Sequence, residues 1–354
     1  MHVVMIAASR FPLKEPFAGG LESLTWHLCR GLRDRGVRVS VFAGRGSDPR
    51  LGVRELVTRP LDLSAAARQD VSMPPVVWLS EHHAYLQVMM ELQVRGDVDV
   101  IHNNSLHHLP VAMAAACAAP MVTTLHTPPT PWLEPAIEIA DDPRSRYVAV
   151  SEHTRRSWRH AVDADVVPNG VDVSRWRPGP GGDALAWAGR LVPEKAPHLA
   201  IDIARAAGRR LRLAGPVGDA DYVRDMVYPR LGADVEYLGH LRTDELGALF
   251  GGSAATLVTP VWDEPYGLVA AESFACGTPV VAFDRGGLPE FVTAEVGRVV
   301  DGADVTAAAD AVREAVSLDR DGCRSHAVQH CSVERMLDEY LRIYDTMRAL
   351  RGAA

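Results

Sequence analysis

Lysine is nearly missing from this 354-residue chain: of 37 basic side chains, only Lys14 and Lys195 are lysines. Arginine in its place, with many alanines, fits a high-G+C bacterial coding background. Basic charge in excess is also missing, since 45 acidic residues leave a formal charge of -8. A nucleic-acid binder normally carries a basic excess, so no nucleic-acid partner is expected. The five cysteines form no C-x-x-C pair, and their odd number reads as reduced thiols in a cytoplasmic protein. Long hydrophobic runs are absent. The longest, Val111 to Pro120, is about half of the ~20 residues a membrane span needs, so no transmembrane segment is expected. The apolar run Val3 to Ala8 is short and follows no basic segment, unlike a signal peptide. The glycines match neither G-x-G-x-x-G nor G-x-x-x-x-G-K-[ST], which argues against a dinucleotide dehydrogenase and a P-loop NTPase.

What is present is ordinary globular composition, with 47% hydrophobic and 23% charged residues. That excludes a disordered chain, a collagen-like repeat and a coiled coil. The length favours two domains. Strand and helix patterns alternate along both halves. Val3–Ala7, Val37–Ala43, Val98–His102, Met121–His126, Tyr147–Ser151 and Asp165–Val167 read as strands, with helices over Leu21–Arg35, Val76–Arg95, Leu106–Ala118 and Glu152–Ala161. The pattern breaks at Pro168-Asn169-Gly170 and at the Pro/Gly-rich run Arg177 to Gly182. It resumes with strands at Ala184–Ala188, Leu211–Ala214, Val235–Leu238, Ala255–Val258, Val280–Phe283 and Val296–Val300, and the chain ends in helices. The fold class is therefore α/β, as two doubly wound, Rossmann-like domains facing across a cleft. The boundaries fall at 1–170, a hinge at 171–183, a second domain at 184–332 and a terminal helical segment at 333–354. Ligands of such sheets sit beyond the carboxyl ends of the strands.

Four segments at strand ends carry candidate chemistry. Asp263 to Glu272 places Pro265 near a helix start, with Gly267 leaving first-turn amides open to an anion and Glu264 and Glu272 offering carboxylates to sugar hydroxyls. The same residues also read as a proline-capped helix with one solvated and one structural glutamate. Arg190 and Lys195 follow the first strand of the second domain, where cations suit a diphosphate or merely a solvated loop. Gly19-Gly20 joins the first strand to the first helix, and glycines admit backbone amides close to a charged ligand. His126 ends a strand at the ligand-binding edge, a position as compatible with a structural as with a catalytic histidine. The spacing Cys323-x2-His326-x3-His330-Cys331 and three D-x-D pairs (Asp97/Asp99, Asp163/Asp165, Asp219/Asp221) imitate metal motifs, but no metal is assigned to them. His82-His83 and His107-His108 read as surface or cleft residues, and Trp26, Trp78 and Trp132 as cleft or core.

Taken in order, these segments resemble the retaining family 4 glycosyltransferases of GT-B fold. The likeness covers most of the chain. It includes Gly19-Gly20, His126, Val150-Ser151-Glu152, Pro168-Asn169-Gly170, Gly189-Arg190 to Lys195, Leu238-Gly239, the E-x7-E pair Glu264 and Glu272, and Gly286-Gly287. The resemblance implies a retaining, metal-independent transfer of a sugar from a nucleotide-diphosphate donor, expected to be a UDP-sugar, to an unidentified acceptor hydroxyl. No cofactor is implied. Arg190, Lys195 and the amides of Gly267, Leu268 and Val269 would hold the diphosphate, Glu272 the ribose and Glu264 the transferred sugar. His126 would lie beside the reaction centre, His240 and Leu241 would meet the nucleobase, and Gly19-Gly20 would approach the distal phosphate and the acceptor. Residues Glu334–Leu350 would cross back onto the first domain. The alternatives are a GT-B epimerase or hydrolase of the sugar nucleotide, or a catalytically inactive nucleotide-sugar-binding protein.

Overall fold

The computed structural model describes residues 1–56, 61–140, 142–302 and 304–351, so the last three residues of the 333–354 segment lie outside the described residues. Two parallel sheets form the frame. In the first half, β1 (His2–Ile6), β2 (Arg38–Ala43), β3 (Val53–Glu55), β4 (Val100–Asn103), β5 (Met121–Leu125), β6 (Ser145–Ala149) and β7 (Asp165–Val166) stand in the order β3-β2-β1-β4-β5-β6-β7. In the second half, β8 (Leu185–Ala188), β9 (Leu211–Ala214), β10 (Val235–Tyr237), β11 (Ala255–Val258), β12 (Val280–Phe283) and β13 (Gly297–Val300) stand in the order β10-β9-β8-β11-β12-β13. In each sheet the order reverses beside the first strand, which opens a crevice at that edge.

The strands are continuous apolar runs because both faces are covered. Along β1, Val3 and Met5 face one core with Leu24, Leu28 and Leu32 of the helix Gly20–Asp34. Val4 and Ile6 face the other core, with Tyr85, Met89 and Leu92 of the helix Val76–Gln93. The second lobe repeats this device. Leu185 and Trp187 pack on one side, while Ala186 faces Ala270, Ala271 and Phe274 on the other.

The closing helix, Val333–Arg351, belongs to the core of the first lobe. Met336, Leu337, Tyr340, Tyr344 and Met347 are buried among Leu28, Leu32 and β1. Two polar tethers fix its register: Tyr344 Oη lies 2.5 Å from His102 Nδ1, and Tyr340 Oη lies 2.9 Å from Thr124 Oγ1. The chain thus crosses between lobes twice, and the two crossings touch. The Val171 amide donates to the Cys331 carbonyl at 2.8 Å, and the Val333 amide returns to the Val171 carbonyl at 2.9 Å.

Three details depart from the sequence reading. The expected helix Leu106–Ala118 is a short helix His108–Ala112 followed by a 3-10 turn, Ala114–Ala116. Its last carbonyls turn outward to the Arg144 guanidinium, which donates to Ala115 at 3.2 Å and to Cys117 at 3.1 Å. Strand β3 went unanticipated, because as a mostly exposed edge it shows no apolar alternation. Pro265 does not sit in the first helical turn; the helix begins at Leu268, after a left-handed Gly267.

Candidate active site

Every residue singled out for the site lies on the wall of one cavity, about 390 Å³, between the carboxyl edges of the two sheets. The second lobe supplies the charged floor. Behind β11, the chain runs through Trp262 and Glu264 to Gly267, whose φ of 98° is the left-handed region open to glycine. No side chain caps the helix Leu268–Ala275 that follows, so the amides at its start remain available to an anion. A second glycine fixes this loop. Gly286, at φ 66°, lies so close that a Cβ there would stand 2.0 Å from the Glu264 carbonyl oxygen, and the Gly287 amide donates to that oxygen at 2.7 Å.

Arg190 follows β8 and is partly exposed, with Glu194 3.8 Å away. Lys195, at the end of a 3-10 turn, pairs with the Glu264 carboxylate and stands 5.0 Å over the Trp262 ring. The Trp262 indole N–H donates to the same carboxylate at 3.2 Å. Glu272, one turn into the helix, keeps a partial opening to the cavity, yet burial pushes its carboxyl up to about 7. His240 Nε2–H donates to the Phe17 carbonyl of the opposite lobe at 2.9 Å, and Leu241 lies beside it on the wall.

The first lobe supplies the roof. Gly19 and Gly20 open the helix that follows β1, with Gly20 facing Leu268 of the other lobe; a Cβ there would stand 3.0 Å from Leu268 Cδ1. His126 follows β5, and its Nε2 lies 2.7 Å from Asn104 Oδ1, so Nε2–H donates to the amide oxygen and Nδ1 keeps its lone pair. Burial lowers its pKa to about 3, so the ring is neutral at physiological pH. The lobes also meet through direct hydrogen bonds. The Glu290 carboxylate accepts from the Glu152 and His153 amides at 2.9 and 2.6 Å, and Thr243 Oγ1 donates to Glu15 at 2.7 Å.

Sequence reasoning passed over two wall residues, Glu22 and Trp262, and the buried Asn104 behind His126. Glu22 is 5% exposed, and burial raises its pKa although Arg190 and Arg10 oppose the rise. Trp262 holds the Lys195–Glu264 pair, and Asn104 orients His126. Glu22 falls three residues after Gly19, so its place on the wall follows from the first helical turn. Nothing local marks the other two. The metal look-alikes lie elsewhere. Cys323 and Cys331 are buried in the core, and the Asp97 and Asp221 carboxylates are paired with Arg95 and Arg224. Among the described residues, two groups bring three potential ligand atoms within 4.8 Å of one another: His82, His107 and His108, and Glu134, Glu138 and His160. Neither group lines the cavity.

Two parallel-sheet lobes with cations, helix amides and carboxylates converging between them form a site suited to an anionic, hydroxyl-rich ligand. Comparisons with known proteins agree. The family model described as Glycosyltransferase Family 4 matches residues 18–175, and that described as Glycosyl transferases group 1 matches residues 180–327. The D-inositol 3-phosphate glycosyltransferase of Mycobacterium avium is 30% identical over 367 residues, covering 88% of this chain and 84% of that one. The glycogen synthase of Mycobacterium tuberculosis is 28% identical, covering 88% and 85%. The solved structure of Anabaena Alr3699/HepE in complex with UDP and glucose superposes with a TM-score of 0.75 at 18% identity, covering 97% and 99%. The chain belongs to glycosyltransferase family 4 and is a glycosyltransferase of GT-B fold. No helix among the described residues is long and apolar enough to cross a membrane.

Proposed function

We propose that the chain moves a sugar, with retention at the anomeric carbon and without a metal ion, from a UDP-sugar to an acceptor hydroxyl. The observation that carries this reading is the meeting of Arg190, Lys195 and the start of the Leu268 helix on one cavity wall. Breaking the anomeric bond drives negative charge onto the leaving diphosphate. A charge-assisted hydrogen bond contributes about 1.5–3 kcal/mol, against about 0.3–1 kcal/mol for a helix terminus. The two cations therefore contribute more than the helix and do the work a metal would otherwise do.

Before the donor arrives, Lys195 is held by Glu264 and Trp262. The diphosphate competes for the ammonium, and Glu264 is then free to accept from sugar hydroxyls. Glu272 accepts from the ribose, His240 and Leu241 border the base, and Gly19-Gly20 approach the distal phosphate from the other lobe. Neutral His126 takes no proton from the reaction; its Nδ1 lone pair accepts from a sugar hydroxyl. The acceptor proton passes to the leaving phosphate oxygen as the new glycosidic bond forms on the same face. An Anabaena neighbour of the same fold solved with UDP and glucose supports uridine as the nucleoside.

Replacing Lys195 with alanine is expected to lower turnover by about 10²–10³, the scale for losing one preorganised donor at developing charge. Turnover within a fewfold of the parent enzyme refutes the assignment. Product analysis without acceptor separates transfer from epimerisation or hydrolysis. UDP at 100 times its Kd should stabilise the chain by about 2.7 kcal/mol in a thermal-shift panel.

A further inference from the structure

At the first-lobe end of the cavity, Leu106 and Thr127 leave the wall and lead into a continuous stack of rings. Tyr85 stacks on His107 at 4.4 Å and 22°, and His107 on His108 at 4.4 Å and 23°. His108 stacks on Trp132 at 6.0 Å and 26°. A second layer sets Trp78 on His82 at 5.2 Å and 19°, and Trp78 against Trp132 at 5.6 Å. Trp132 is 56% exposed and Leu106 39%. Large apolar side chains left open beside a cavity mark a place where something docks. The loop from His126 to Trp132 is pinned, since the Trp158 indole N–H donates to the Thr127 carbonyl at 2.8 Å. The platform therefore stands at a fixed offset from His126.

The ring geometry decides what this platform takes. A metal ion needs imidazole lone pairs that converge in the ring planes. His107 and His108 lie at 23° and hold their lone pairs in separate planes, while His82 is tilted from them by 56° and 33°, and the His107 Nδ1 lone pair already accepts the Leu109 amide at 3.2 Å. Charge decides the rest. Residues 76–85, 106–110 and 127–134, which build the platform, contain no lysine or arginine. Arg10 is the single first-lobe cation among the described wall residues, and it does not belong to the segments that build the platform. A phosphorylated acceptor finds no free cation on the platform. A pyranose does find a counterpart: its C–H face fits an indole, and its hydroxyl rim fits imidazole nitrogens, whereas an alkyl chain would leave those nitrogens unused.

Resting on the transferase reading, we infer that this platform is the acceptor subsite and that it selects an uncharged sugar or glycoside, stacked on Trp132, over a phosphorylated acceptor. The test uses the full chain saturated with UDP. The probes are the methyl glycosides of glucose, galactose, mannose and rhamnose, maltose, glucose 6-phosphate and D-myo-inositol 3-phosphate, read by saturation-transfer NMR and titration. At least one neutral glycoside should show transfer to its ring C–H protons. Its affinity should fall about tenfold or more in Trp132→Ala, an effect near 1.4 kcal/mol, and recover in Trp132→Phe, while UDP affinity stays within twofold. Three results overturn the inference: inositol 3-phosphate binding more tightly than every neutral probe, no neutral probe binding, or Trp132→Ala binding the neutral probe as the parent does. Failure of UDP itself to bind would instead sink the transferase reading.

Discussion

Replacing Glu272 with glutamine separates what this side chain does for the fold from what it does for the ligand. Burial alone moves its carboxyl from 4.5 to about 7. A raised folded-state pKa means the folded chain holds this proton more tightly than the unfolded chain. Its contribution to stability is complete below 4.5 and disappears as pH rises through about 7. At about 1.4 kcal/mol per pKa unit, ionising Glu272 costs up to about 3 kcal/mol, an upper bound because the group keeps some opening to cavity water. Glutamine removes that cost. The Tm values of parent and Glu272→Gln should draw together toward pH 5 and diverge by several degrees at pH 8.5, with the variant shifted upward relative to the parent. Nucleotide binding should move the other way. Each lost charged hydrogen bond to the ribose is worth about 1.5–3 kcal/mol, so UDP affinity should fall by about 10- to 100-fold. The ratio of parent to variant affinity should also grow from pH 6 to pH 8, and taking the ratio cancels titration of the nucleotide. Calorimetric scans from pH 5 to 9 and UDP titrations read both effects. Parallel Tm curves would refute the burial argument, and equal UDP affinities would refute the ribose role.

Two further substitutions probe the scaffold. Gly286→Ala places a methyl 2.0 Å from the Glu264 carbonyl in a backbone conformation costly for alanine, about 1–3 kcal/mol. It should lower turnover at least tenfold by moving the Glu264 loop; an active, unshifted variant in a coupled transferase assay would contradict this. Tyr344→Phe strips the partner from the buried His102 Nδ1 and should cost about 1–3 kcal/mol. Urea unfolding measures it, and an unchanged midpoint would show that the tether carries no stability.

The site was legible in the sequence because of where parallel sheets hold ligands. Gly19 follows β1, His126 follows β5, Arg190 follows β8 and Glu264 follows β11, so strand ends located the segments, while their expected roles, and His240 and Leu241, came from the family resemblance. What escaped depends on distant chain. Asn104 and His126 come from neighbouring strands that pair only after folding, and Trp262 acquires its role only once Lys195, across the lobe, reaches Glu264. The Leu106–Ala118 pattern looked helical throughout because alanine suits a helix. Its interruption is set by Arg144, which is 27 residues beyond the Cys117 carbonyl it captures.

The closing helix imposes an order on biosynthesis. A ribosome delivers the first lobe's sheet long before it delivers Met336, Leu337, Tyr340, Tyr344 and Met347, the side chains that seal one of that sheet's faces. The early lobe must wait, with apolar surface open, while the later lobe is made and folds. Trimming the tail of this protein would therefore damage the beginning of it, and the first lobe would fail before the second.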